Sequence, residues 1–330
     1  MVEVERFYLV DFWVLGSLPL ALALDLIVGH PWRWADPVRW IDRLTGRAER
    51  GLRKLAARSA GRSRANRLAG LVLVILVVGL VASLVALSTD LLGMLGGPAT
   101  LVGRALLIYG GLGIRRLAGD TLRVSEANSL FVARRDLAER FGRDASGLDA
   151  AAINRVCLEV IGEETNRSVV APLFWVALLG PAGLWGYKAV DALIRKLGRV
   201  DPRGPDFGWA AARLDWLANL IPARVTWLLI SLSAGLLNED GRNALRIGWR
   251  DGRKGLIPDL AWGPAALAGA LGVQLGGGSG SGGRSWLQPV LGDPIDPIDR
   301  RTVRRSVRIM LVTALNAAFL CLAVTVLLSG

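Results

Sequence analysis

Histidine is almost missing from this sequence. The 330 residues hold one, His30, and only two cysteines, Cys157 and Cys321. A single imidazole excludes a multi-histidine metal centre and a histidine proton relay. Two cysteines cannot build a thiolate zinc site. A disulfide between them is disfavoured, because Cys321 lies in an uncharged apolar run and Cys157 in a charged stretch. Acids are also scarce: 28 Asp and Glu stand against 40 Lys and Arg, a formal net charge of +12. That basic excess is not arranged as any nucleic-acid reading module, so nucleic acid is not an expected partner.

Apolar residues, by contrast, make up 52% of the chain, and the mean hydropathy is +0.41. Both exceed what a soluble chain usually carries. The excess is gathered in blocks. Leu68–Thr89 and Ile309–Gly330 are each 22 residues without a charge. Either can cross a hydrocarbon layer of ~30 Å at ~1.5 Å per residue. The sequence therefore predicts an all-α, polytopic integral membrane protein built as a single membrane domain over 1–330.

About five crossings are expected, with candidates at 7–29, 68–89, 91–114, 217–237 and 309–329. The first lacks a basic n-region and a small-x-small cleavage site, so it reads as a retained span. Asp11 and Asp25 interrupt it 14 residues apart. That spacing puts them within about 40° of one helix face, which should turn toward protein. Residues 91–114 carry the breaker GGP at 96–98 and one charge, Arg104. With 68–89 they form an expected hairpin. Residues 168–187 are uncharged but broken by Pro172, Gly180-Pro181, Gly183 and Gly186. They read as a re-entrant pair of short helices turning at GPAG.

Between these blocks, 115–167 carries nine basic and nine acidic residues and reads as a cytoplasmic helical insertion. Within it Arg155/Glu159 and Glu163/Arg167 are spaced as helical ion pairs. Residues 261–276 are rich in Ala and Gly and suit close helix packing. Residues 276–283, GGGSGSGG, read as a flexible linker. The overlapping 278–285 fits a phosphate-binding loop with Arg for Lys, but lacks the preceding strand that motif needs. Eleven Lys and Arg against three acids between His30 and Arg67, and five arginines in 300–308, put both segments in the cytoplasm by the positive-inside rule. Both termini are then outside. Trp32, Trp34 and Trp40 suit the headgroup level, and the basic run suits anionic lipid.

Three charged segments lie beside apolar blocks. One holds Arg143 and Asp144 with the helix carrying Glu159 and Glu163. The second holds Lys188, Asp191 and Arg195 on one helix face. The third holds Arg213, Asp215, Asn219 and Arg224 around Pro222, at a broken entry into the membrane. Taken singly, each reads as an interfacial anchor or a salt bridge. Together they point to a polyanion-binding site at the membrane surface.

These residues also carry a resemblance. GRD at 142–144, the run 159–172, YKA at 187–189, FGWAAARLD and ANLIPAR at 207–224, and AGALGVQLGG at 268–277 resemble the adenosylcobinamide-phosphate synthase family of cobalamin biosynthesis. LDLIVGHP at 24–31 and PVRW at 37–40 extend the likeness over nearly the whole chain. The resemblance implies an amide ligase of the bacterial cytoplasmic membrane. ATP with Mg²⁺ would activate the carboxylate of a corrinoid, adenosylcobyric acid, for attack by aminopropanol phosphate, and other enzymes of the pathway would be its partners.

On the matched positions, catalytic roles fall to Lys188, Asp215 and Glu163. Substrate and phosphate binding fall to Arg143, Arg213, Asn219 and Arg224, and metal binding to Glu159, Glu163 and Asp144. Several polar positions depart from the family pattern: Arg167, Ile194 and Trp216 stand where the family has acids. Those changes keep a second reading open, a non-catalytic relative that binds a corrinoid or a partner as a scaffold.

Overall fold

A computed structural model describes residues 16–29, 37–57, 62–197, 205–255, 259–277 and 289–329. Asp11, His30, Trp32, Trp34 and residues 278–285 lie outside them. Among the described residues the chain is all-α, with a single isolated bridge, Leu275 to Leu291, as its only β pairing. Five stretches are long and apolar enough to cross a membrane: Ser63–Leu95, Gly97–Ser125, Ala150–Leu197, Asp206–Leu236 and Arg300–Leu327. The protein is thus an all-α polytopic membrane protein. It packs as two compact units interleaved along the sequence, one of 1–112, 172–218 and 320–330, the other of 113–171 and 219–319.

The first unit holds α1 (Gly16–Val28), α2 (Pro37–Ala57), α3 (Arg62–Leu95), α4 (Gly97–Gly111), α8 (Ala171–Leu197) and the start of α9 (Pro205–Leu236). The described part of the first expected span, α1, is shorter than a crossing. Asp25 is fully buried in protein, as its helix-face position predicted. Helix α3 is apolar on every side. Leu73, Val74, Val77 and Val81 form its buried stripe while Ile75 and Leu84 stay exposed, the pattern of a helix packed on one side and facing lipid on the other. It runs through Asp90 to Leu95, so the hairpin turns at Gly96–Gly97 and not near residue 90. Both glycines have positive φ, 72° and 43°, and Pro98 opens α4 where a missing N–H costs nothing. The Thr100 hydroxyl closes the hairpin on the Leu92 carbonyl at 2.8 Å.

Helix α8 is broken where its sequence predicted. Gly180 sits at φ 64°, ψ −159°, a conformation reserved for glycine. An ideal Cβ on Gly183 would lie 2.6 Å from the Trp175 carbonyl oxygen. In a straight helix those residues would be ~12 Å apart along the axis. The chain therefore reverses at Gly180-Pro181.

The second unit holds α5 (Ile114–Ser125), α6 (Leu130–Phe141), α7 (Ala150–Glu164), a π-helical segment (Thr165–Val170), the rest of α9, α10 (Gly241–Asp251), α11 (Trp262–Leu271) and most of α12 (Arg300–Ser329). All ten residues of α11 are buried. Its small side chains let backbones touch: a Cβ on Gly162 of α7 would lie 2.6 Å from Pro264 Cα, and one on Gly269 would lie 2.6 Å from the Asn243 carbonyl. The expected close packing of 261–276 is realised. The basic start of α12 is tied down by Arg304 on Glu126 at 2.7 Å and by Arg305 on Glu239. Cys157 and Cys321 are both free thiols.

Candidate functional site

The loop between α6 and α7 sets the first part of the site. Gly142 ends α6 in the left-handed conformation, φ 63°, and Asp149 caps α7 by accepting the Ala152 N–H at 2.7 Å. Between them Arg143 reaches over α7, and its Nη2 donates to Glu163 Oε2 at 2.6 Å. One turn earlier, Glu159 Oε1 accepts the Gly276 N–H at 2.9 Å. Both carboxylates are buried, Glu159 at 6% exposure and Glu163 at 8%. Burying two acids so close is costly unless each finds a donor. Arg143 and the Gly276 amide are those donors. In turn Glu163 above all, with Glu159 and Glu164 adding, raises the Arg143 pKa against the opposing effect of burial.

This arrangement differs from the solvated helix face expected of an i, i+4 pattern. No ion pair joins Arg155 to Glu159 among the described residues, and the buried Arg155 Nε has no hydrogen-bond partner there. The nearby Asp144 does not join the carboxylates. It accepts the N–H and hydroxyl of Ser146 at 2.9 and 2.7 Å, and those bonds hold its pKa below the usual value. Among the described residues no three His, Cys, Asp or Glu side chains gather as a metal-holding group. Glu159 and Glu163 remain as a pair.

The helix then widens. Six residues, Thr165–Val170, form π turns, and all six are buried. A π segment displaces side chains from their α-helical positions and is frequent at functional sites. Here it places Asn166 so that its Nδ2 donates to Asn219 Oδ1 at 2.8 Å, while the Thr226 hydroxyl donates to Asn166 Oδ1 at 3.0 Å. Asn219 is therefore locked into a buried amide network.

Arg224 lies further along α9. Its guanidinium stands 5.2 Å from the ring centre of Trp262 and 3.8 Å from the buried carboxylate of Asp259. Trp227, Trp249 and Trp262 pack edge and face, with Trp227 and Trp262 centres 5.2 Å apart.

The remaining predicted residues belong to the other unit. Lys188 and Asp191 are buried on the second half of α8, where Arg195 pairs with Asp191 at 2.8 Å. Asp215 is buried on α9, and the exposed Arg213 lies over the Trp216 ring at 4.4 Å. Sequence reasoning missed Asn166, Thr226, Gly276 and Trp262 as members of these clusters. An uncharged amide, a threonine, a glycine N–H and a tryptophan carry no charge signal. Their membership shows only once α7, α9 and α11 are packed.

Fold and site together define a polytopic helical membrane protein with a buried arginine–carboxylate cluster beside a π-helical segment. The family model for CobD/CbiB proteins matches residues 18–310, and the chain belongs to the CobD/CbiB family. It is 36% identical over 317 residues to the cobalamin biosynthesis protein CobD of Klebsiella pneumoniae, covering 94% of this chain and 97% of that one. It is 39% identical over 294 residues to the protein of that name from Geobacter metallireducens, covering 88% and 90%. The cobalamin biosynthesis protein CbiB of Salmonella arizonae is 36% identical over 315 residues, 94% and 97% of the two chains. No solved structure matches.

Proposed function

We propose that this protein acts in cobalamin biosynthesis, in the bacterial cytoplasmic membrane, as an ATP-dependent amide ligase. It would join aminopropanol phosphate to adenosylcobyric acid and release adenosylcobinamide phosphate. The observation that supports this reading best is the buried cluster of Arg143, Glu159 and Glu163. ATP-driven acyl activation calls for cationic groups on phosphate, carboxylates for the metal, and protection of the activated acyl group from water. Mg²⁺ takes one or two protein carboxylates and completes its shell with water and substrate phosphate. Glu159 and Glu163 fit that donor set, and Asp144, spent on its own turn, does not. Bound there, Mg²⁺ would neutralise phosphate charge. Arg143 would release Glu163 to take a phosphate oxygen, while the buried walls of α7 and α11 keep water away. The buried Asn219 network would hold the backbone of the site rigid, and Arg224, flanked by Trp262, would hold a second anionic group. Lys188, Asp215 and Arg213 are assigned to the same reaction on the resemblance alone.

One observation favours the second reading, a scaffold that binds a corrinoid or a partner enzyme without ligating anything: Arg143 already satisfies Glu163, so the pair is complete without a metal. Complementation separates the two. In a bacterium lacking its own synthase and fed adenosylcobyric acid, the chain should restore cobamide, detected by mass spectrometry. Glu163→Gln and Lys188→Ala should abolish it at equal membrane insertion. Inserted, folded protein that yields no cobamide would select the scaffold.

A further inference from the structure

Arg104 is the only charge on α4, and its surroundings are unlike those of every residue assigned above. It lines a cavity of about 160 Å³ in the first unit, together with Ser17, Ile108, Ala177, Gly180 and Thr325. The cavity is made where the start of α1, the middle of α4, the break in α8 and the end of α12 come together. Arg104 sits seven residues beyond Gly97, about 10 Å along the axis from the α3–α4 turn. The break brings the backbone to it: an ideal Cβ on Gly180 would lie 3.7 Å from Arg104 Nη2. Among the described residues Asp90 is the acid whose charge acts on Arg104, and the two form no ion pair. Exposed Leu178 and Leu179 lie next in the chain to the lining residues Ala177 and Gly180, so the break carries apolar side chains beside the cavity. That is a surface for acyl chains.

An ionisable group at membrane depth is expensive and calls for a partner. The Thr325 hydroxyl is spent on the Cys321 carbonyl at 2.9 Å, so the guanidinium is what the hollow presents to a ligand: donors with a positive charge, which match a phosphate oxygen. We propose that this cavity binds a phosphodiester anion, the headgroup of an anionic phospholipid that enters sideways from the bilayer, with Arg104 on its phosphate. The site is separate from the ligase cluster, and lipid there would wedge the α8 break in one conformation.

The test uses the full chain in detergent, delipidated and titrated by native mass spectrometry with phosphatidylglycerol, diacylglycerol or inorganic phosphate. The expected result is one phosphatidylglycerol adduct, no matching diacylglycerol adduct, and weak competition by millimolar phosphate. Arg104→Gln should weaken the lipid adduct about tenfold, the size of one lost charge-assisted contact. Arg104→Lys should keep most of it. Ala177→Leu, which fills the cavity and leaves Arg104 intact, should also lose the adduct at an unchanged melting temperature, covering the case in which Arg104→Gln fails to fold. Asp90→Asn should leave the adduct in place or strengthen it. Equal binding by wild type and both loss variants, or diacylglycerol binding as well as phosphatidylglycerol, would overturn the proposal. Phosphate displacing the lipid at equal concentration would overturn the lipid as the source of the anion.

Discussion

Gly162 and Gly119 show how differently two helical glycines can be used. Where α7 crosses α11, a methyl group on Gly162 would meet the Pro264 backbone at 2.6 Å, so the helices must separate to admit it. Gly162→Ala is expected to cost about 1–3 kcal/mol, the usual price of overpacking. Gly119, on the exposed side of α5, meets nothing within 4 Å, and Gly119→Ala should stabilise by ~0.5–1 kcal/mol through helix propensity. Thermal unfolding of both in one detergent would show opposite shifts.

Asp251 gives a residue-scale pH dependence. Burial alone would raise its pKa, but bonds from Arg250, Lys254 and the Gly292 N–H lower it to about 2, from 3.8. A carboxylate depressed in the fold contributes stability that is fully present above pH ~4 and is lost as pH falls toward 2. The contribution is roughly 2 kcal/mol. Melting temperature should therefore drop as pH falls from about 4 to about 2, and Asp251→Asn should flatten that drop while lowering the neutral-pH value. The residues of these clusters were legible in the sequence as charged positions. Their partners were not, because Arg143 meets Glu163 across a loop and Glu159 meets a backbone amide 117 residues away. The local i, i+4 rule assumes an exposed helix face, and α7 is buried.

At the scale of the helix, the long apolar runs were readable because hydropathy reports burial in lipid directly, and the break at Gly180 because glycine followed by proline has few other uses. The α3–α4 turn lay six residues beyond the charged residue that marked it, since an exposed Asp90 near a helix end costs little. The π segment has no compositional mark at all. Pro222 inside α9 was legible, but its compensation was not. Proline lacks the N–H that would serve the Ala218 carbonyl. The Trp175 indole serves it instead, at 3.2 Å. Trp175→Phe should therefore leave a buried carbonyl unpaired, at a cost of about 1–3 kcal/mol. In a Pro222→Ala background, where the helical N–H returns, the same change should cost much less. A double-mutant cycle by thermal unfolding reads the difference, and equal costs in both backgrounds would assign Trp175 to packing alone.

For the whole molecule, the charge pattern constrains how many helices cross. If the basic segments at 30–67 and 300–308 both lie inside, as the positive-inside rule predicts, both termini lie outside and the number of crossings is even. Helices α3, α4 and α12 would supply three, and the expected first span at 7–29, of which α1 is the described part, the fourth. Helix α8 reverses at Gly180, and as the expected re-entrant pair it would return to its own side. Helix α9 passes the length test for a span, yet a crossing there would carry α10 and the arginines of α12 outside. The pairing of Arg305 with Glu239 keeps the end of α9 at the level of those arginines, so an even count requires that α9, one helix from Pro205 to Leu236, does not cross. The measurement is cysteine accessibility in a Cys157→Ser, Cys321→Ser background, which removes two thiols that are buried in any case. A membrane-impermeant maleimide should label Arg242→Cys only after spheroplasts are opened, and should label a cysteine appended after Gly330 in intact ones. Labelling of Arg242→Cys in intact spheroplasts would mean that α9 crosses and that five arginines lie on the outer face. The positive-inside reading, and with it the cytoplasmic placement of the arginine–carboxylate cluster, would then have to be reversed.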